Sequence, residues 1–188
     1  MTTKRSRLAL STSFIVLALL MSVATQVGAQ TTANSKLRLE YLMTFHAPFA
    51  PTIDIGQVPI GHVQVFTVSG GTFEGPKLRG KVLPGPVDWF VQGSDGWGIW
   101  TCALPSKTED GANIYLRYQG VQVMTAAAGT KLSKGEAIDY GEIYWLATPV
   151  FETGDSHYAW LNNIITVGEA RLGPNLAWIE YRIFQVLD

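Results

Sequence analysis

Several things are scarce in this chain of 188 residues. It has one cysteine, Cys102, so no internal disulfide can form and stability must come from packing. Flanked by Thr101 and Ala103, that cysteine reads as a small buried hydrophobe. The three histidines, His46, His62 and His157, stand at no metal-ligand spacing, and no Cys/His cluster accompanies them. Metal and cofactor are therefore not expected. No serine sits on a nucleophile elbow. Gly70-Gly71 precedes no helix, so it is a hairpin feature and not a phosphate cradle. Charged residues make up only 15% of the chain, with a net charge of −1. Without a basic surplus, nucleic acid is not an expected partner. The strand-and-helix rhythm of a parallel sheet is lacking too, as are internal repeats and linkers.

What is present begins with a leader. Lys4, Arg5 and Arg7 precede the apolar run Leu8 to Ala24, and the small residues Val27 and Ala29 follow. Basic start, apolar middle and small-residue cut site read as a secretory signal peptide over residues 1–29. The apolar run falls short of the roughly 20 residues of a membrane span. Cleavage near Ala29 is expected to leave a secreted or periplasmic protein with no stable membrane span. Loss of the three leader cations would leave eleven basic against fifteen acidic side chains, a net charge of −4. Residues 30–36 are polar and expected to be disordered, which leaves 37–188 as one domain.

In that domain the dominant period is two. LRLEYLMTF sets Leu37, Leu39, Tyr41, Met43 and Phe45 on one face, the pattern of a half-buried strand. Further strands are expected over 62–68, 73–82 (broken at Gly75-Pro76), 88–92, 98–104, 112–118, 142–151, 161–167 and 178–186. In the run 112–118, Ile114, Leu116 and Tyr118 oppose Tyr115 and Arg117. Turn signals such as SGG, LPGP, SDG, EDG and LGPN separate the runs. Only 123–137 carries a helical composition. The expected fold is all-β: a single antiparallel sandwich or barrel with one short helix.

Two stretches carry candidate chemistry. GGTFEGPKLRGKVLPGPVDW, Gly70 to Trp89, reads as strand, bend, strand, turn, strand, because a strand tolerates glycine where it bends or meets another backbone. It places Glu74, Arg79 and Asp88 among glycine and apolar residues, where they are expected to point inward. TPVFETGDSHYAWLNN, Thr148 to Asn163, adds Glu152, Tyr158, Trp160 and Asn162 around a turn that Asp155 stabilises. Six tryptophans exceed what a small core needs, and an aromatic barrel interior with a few polar groups is how a small-molecule pocket is built.

These two stretches, with EDGANIYLRYQG at Glu109 to Gly120, resemble the domain-of-unknown-function family three-two-three-seven over roughly Leu37 to Val186. The resemblance implies a compact antiparallel barrel similar to the allene-oxide-cyclase and dirigent barrels, and no settled activity. It places the family's recurrent polar positions on Glu74, Arg79, Asp88, Asp110, Glu152, Asp155 and Asn162. This chain departs at Gly85-Pro86-Val87 and at Trp100-Thr101-Cys102-Ala103, where relatives often carry an acid and a base.

The functional expectation is a barrel that binds a small hydrophobic or aromatic molecule, with cofactor-free isomerase, cyclase or lyase chemistry as its sharper form. Glu74, Arg79 and Glu152 are the candidate catalytic residues. Asp88, Trp89, Tyr115, Arg117, Tyr144, Tyr158, Trp160 and Asn162 are the candidate ligand contacts. The alternative is a non-catalytic ligand-binding module, or a structural one in which outer-face residues such as Leu42, Phe184 and Val186 serve a homo-oligomer.

Overall fold

The computed structural model describes residues 36–188; the expected signal peptide and most of the expected disordered stretch lie outside them. Eleven strands form one antiparallel sheet: β1 (Arg38–Pro48), β2 (Ile53–Val58), β3 (Gly61–Thr67), β4 (Gly71–Glu74), β5 (Arg79–Val82), β6 (Val87–Gln92), β7 (Trp97–Thr108), β8 (Asn113–Val123), β9 (Tyr144–Glu152), β10 (Thr166–Leu172) and β11 (Trp178–Leu187). Pairings run β7-β8-β9-β10-β11-β1-β4-β5 and return from β5 to β7. Eight strands thus close a barrel, and closure removes the unpaired edges that an open sheet would expose. The remaining three, β6, β3 and β2, hang from the first half of β7 as a flap. The flap returns to the wall where Phe49 bridges Val68 and the Ala50 N–H donates to the Thr67 carbonyl at 2.8 Å.

The long strands alternate strictly. Along β7, β8 and β9, every second residue is buried and its neighbours are exposed. The interior is filled by aromatic rings, not by an open chamber. Phe45 stacks on Tyr181 at 5.2 Å, Tyr181 meets Tyr118 at 5.0 Å, Trp145 meets Trp100 at 5.2 Å and Trp100 stacks on Phe90 at 4.4 Å. One helix, α1 (Ala126–Ser133), follows β8, capped by the Thr125 hydroxyl, and packs Ala128 and Leu132 on the core.

Three expectations need correction. The face of β1 does not run from Leu37 to Phe45. A bulge between Tyr41 and Met43 shifts the register, so Leu39 and Tyr41 face out while Leu42, Met43 and Phe45 are buried. One extra residue inverts every side chain beyond it, and Leu42 is core, not an outer-face residue. The strand expected over 161–167 begins instead as a 3-10 turn, Ala159–Asn163, and β10 starts at Thr166. There the Asn162 side chain accepts from the Thr153 N–H at 2.8 Å and donates to the Thr153 carbonyl at 2.9 Å, which satisfies a turn and not a ladder. Finally, β2 was not among the expected strands: it is short and broken by its own bulge at Asp54/Gly56.

Candidate functional site

The site grows out of a seam in the barrel wall. β7 pairs with β6 from Gly98 to Thr101 and with β5 from Ser106 to Thr108. Between them the chain crosses over at Pro84-Gly85-Pro86, whose prolines cannot donate to a ladder. The β6–β7 ladder stops at the Trp89/Thr101 pair, which faces outward. Asp88 and Cys102 come next on each strand and face inward, side by side at the seam.

Asp88 is fully buried, 0% exposed. The Tyr118 hydroxyl donates a hydrogen bond to its Oδ2, and Oδ1 has no partner. Burial pushes the Asp88 carboxyl up to about 7, against the opposing pull of the Tyr118 hydrogen bond. Burial and the neighbouring Asp88 charge hold the Tyr118 hydroxyl well above the usual tyrosine range, so it stays a neutral donor. The same two causes raise the Cys102 thiol, which remains protonated and unreactive. Around this dyad the Tyr181 hydroxyl lies against Tyr118 and the Trp145 indole, yet neither the Tyr181 hydroxyl nor Trp145 Nε1 completes a hydrogen bond. Trp100 Nε1 does, donating to Gln122 Oε1 at 2.8 Å. Three unsatisfied polar groups thus belong to one aromatic interior, where each unpaired group is costly.

Space is scant inside the barrel and ample outside. The apolar crevice between Met43, Phe73, Leu78 and Phe151 has only about 10 Å³ of room, and neither Asp88 nor Tyr118 lines it. Over the seam, an open groove of about 550 Å³ on the outer wall reaches Cys102 and Tyr118, and Arg117 and Val150 stand on its rim.

Asp88 alone of the four charged candidates from the two motifs points inward. Glu74 and Arg79 face each other on the outer wall at 4.0 Å, with side chains 76% and 58% exposed. Glu152, 55% exposed, pairs outside with Arg117 at 3.1 Å. The expectation of inward carboxylates at 74 and 152 is corrected: the Glu74/Arg79 pair sits at the bend, where β4 and β5 present their charged positions to solvent. Trp89, Tyr115 and Tyr144 are also on the outer face. Tyr158 is buried and donates to Asp110 Oδ2 at 3.0 Å; Thr108 first, then Tyr158, hold the Asp110 carboxyl below its usual range. Trp160 is partly buried, with Lys77 Nζ 5.7 Å from its ring centre. Tyr115, Glu152 and Asn162 do share a second open groove, of about 570 Å³, but it lies apart from Asp88. Not among the candidate contacts were Tyr118, Tyr181 and Gln122. The signal for Tyr118 was the alternation of β8, which puts it with Ile114 and Leu116 on the buried side. Among the described residues no group of acids, histidines and cysteine could hold a metal.

Comparison with known proteins agrees with this architecture. A UPF0311 protein, RPA1785, of Rhodopseudomonas palustris is 28% identical over 134 residues, covering 71% of this chain and 88% of the relative. Its crystal structure, that of a conserved protein of unknown function, superposes with a TM-score of 0.75 at 27% identity, covering 81% of this chain and 99% of that one. A UPF0311 protein of Clostridium acetobutylicum is 30% identical over 131 residues, covering 69% of this chain and 83% of the relative. A beta-barrel like protein of Acinetobacter baumannii is 31% identical in structural alignment, with a TM-score of 0.67, covering 81% of this chain and 98% of that one. Residues 37–186, nearly all of the barrel, match one family model, and the chain belongs to that family, described as protein of unknown function (DUF3237).

Proposed function

We propose that this barrel binds a small, largely apolar or aromatic molecule and that Asp88 and Tyr118 act on it as an acid–base pair without a cofactor. The observation that carries the reading is the buried Asp88 carboxyl, bonded to Tyr118 through one oxygen and unpartnered at the other. A carboxyl poised near 7 is matched to proton transfer at neutral pH. Its free oxygen is buried beneath the seam, and it can exchange a proton with carbon or oxygen of a ligand that reaches it from the groove above. Tyr118 stays neutral and can stabilise the resulting anion by hydrogen bonding. Proton transfer of this kind serves isomerisation, cyclisation or elimination. The aromatic surroundings favour a ring-bearing ligand, and the groove over the seam is the open space nearest to the dyad. Export by a cleaved signal peptide is part of the same reading, on the strength of Lys4 to Ala29.

The test is a thermal-shift screen of aromatic and terpenoid metabolites against the wild type and Asp88→Asn. Asparagine keeps the shape and removes the titration. Ligands are expected to raise the wild-type Tm by RT ln(1 + [L]/Kd) in free-energy terms, and product analysis is expected to show turnover in the wild type alone. Equal turnover by Asp88→Asn would sink the acid–base role, and binding without turnover in both would leave a carrier.

A further inference from the structure

We infer that the groove at the free end of the flap is a second binding site, for a neutral ligand dense in hydroxyl groups, of the sugar class. The face of β6 that carries Asp88 and Phe90 into the core goes on to Gln92. Register sets Phe66, Gln64 and His62 of β3 opposite these three in turn, and Gln57 of β2 opposite His62. One face of the flap therefore starts in the core, at Asp88 and Phe66, and ends in amides and an imidazole. There the side chains converge on an open groove of about 370 Å³, lined by Gln57, His62, Gln64, Gln92, Gly93 and Ser94. That volume lies within the roughly 300–1,000 Å³ of small-molecule sites. Three of the six glutamines among the described residues line it, so amides are concentrated here and not spread over the surface. It shares no lining residue with the groove over the seam.

The lining sets the class of ligand. A carboxamide offers donors and an acceptor side by side, the complement of adjacent hydroxyls. The Gln64 and Gln92 amides are half-buried, and among the described residues neither has a hydrogen-bond partner. The Gln57 amide donates to the Val58 carbonyl at 3.3 Å and keeps its oxygen free. His62 Nε2 lies 2.7 Å from Asp54 Oδ1. A carboxylate only accepts, so Nε2 donates and the neutral ring keeps Nδ1 as an acceptor. Charge excludes the other classes. No lysine or arginine lines the groove, so a phosphate or carboxylate meets no cation except a His62 that Asp54 already holds. A cation meets no free acid: Asp54 also takes the Gly56 N–H at 3.0 Å, and Asp95 takes the Trp97 N–H at 3.3 Å. No aromatic ring is in the lining, so recognition falls to hydrogen bonds and a millimolar affinity is expected. Free sugars and the units of a polysaccharide share this chemistry.

The test is an NMR titration of the isotope-labelled protein with D-glucose, D-galactose and D-mannose at millimolar concentration, then with dextran, galactan and mannan. At least one of the six is expected to give a saturable shift of the Gln64 and Gln92 side-chain amide signals. A response to free sugars marks a small-molecule site, and a response to polysaccharide alone marks a chain-binding one; either supports the inference. Gln92→Glu keeps the shape and removes the amide donors, and Gln64→Met keeps the length and removes every polar atom. Each is expected to weaken binding about tenfold, the loss of one hydrogen bond. Asp88→Asn is expected to titrate like the wild type, so this site and the Asp88–Tyr118 reading can fail separately. No saturable shift with any of the six, or unchanged affinity in the Gln64→Met, Gln92→Glu double variant, would overturn the inference. Loss of the response in Asp88→Asn would do the same, by placing the ligand at the seam.

Discussion

At the scale of single residues, Asp88 sets how the fold responds to pH. An acid whose folded pKa is raised binds more protons folded than unfolded between its ordinary value of 3.8 and about 7. Its contribution is therefore complete at acid pH and is lost as pH rises through that window, by on the order of 4 kcal/mol if the full shift is expressed. Urea unfolding of Asp88→Asn between pH 4 and 8 is expected to give a flatter profile than the wild type and a higher stability at pH 8. A wild-type profile that does not decline across this window would show that the carboxyl is solvated in the native state. Tyr118→Phe removes the one hydrogen bond that opposes burial, so the decline is expected to begin at the same pH and to extend further upward. A second residue pair is packing alone. A Cβ on Gly98 would stand 2.4 Å from the Phe90 ring, and that ring is stacked on Trp100. Gly98→Ala is expected to cost about 1–3 kcal/mol by overpacking. Phe90→Leu should recover part of that in the double variant, because the two sites share one space.

At the scale of elements, the glycines and prolines of Gly70 to Trp89 prove to be joints between strands and not solvated loop. Gly75 ends β4 where its Cα meets the β1 bulge: a Cβ there would stand 2.0 Å from the Leu42 carbonyl oxygen. No flexible side chain can relieve a backbone contact. Gly75→Ala is expected to destabilise more than Gly98→Ala, with a Tm lower by several degrees, since each kcal/mol moves Tm by about 2–4 °C at this size. A drop smaller than that of Gly98→Ala would mean that the bulge yields. The same joints explain what could be read from the chain and what could not. Period-two runs in β7, β8 and β9 are long and unbroken, so their existence and their buried faces follow from sequence alone. The face of β1 does not, because the bulge at Leu42 leaves no mark in the hydrophobic pattern: residues on both sides of it are apolar. Asp88 is expected inward on the same ground as Glu74 and Arg79, its glycine and apolar neighbours, and that ground does not separate the one buried acid from the exposed pair. Alternation puts its partner Tyr118 on the buried face, opposite Tyr115 and Arg117, but a polar residue on an alternating strand suggests a site whichever way it points. Trp145 comes from β9, the ladder partner of β8, while Tyr181 comes from β11, three strands along the sheet, and the curl of the barrel brings it to Tyr118.

At the scale of the whole molecule, closure of the barrel bears on the export we propose. Every strand of the ring has neighbours on both sides, and the core is held by pairings distant in sequence, with no covalent link to help. A chain sent through an oxidising compartment with an exposed thiol would be open to intermolecular pairing. Here the one thiol is 3% exposed and held protonated beside Asp88, so the folded barrel is compatible with such a compartment. Intact-mass measurement of the full chain expressed in a Gram-negative host is expected to find Gln30 as the first residue in the exported fraction. On that material, Cys102 is expected to resist an aromatic disulfide reagent under native conditions and to react fully in denaturant, at a rate set by unfolding. Rapid labelling of the native protein would mean that the seam opens, and it would do so at the place where Asp88 needs to be shielded. Slow labelling with an uncleaved leader would retain the barrel's protection while removing the reason for it, and the two measurements together separate a shielded site from an exported one.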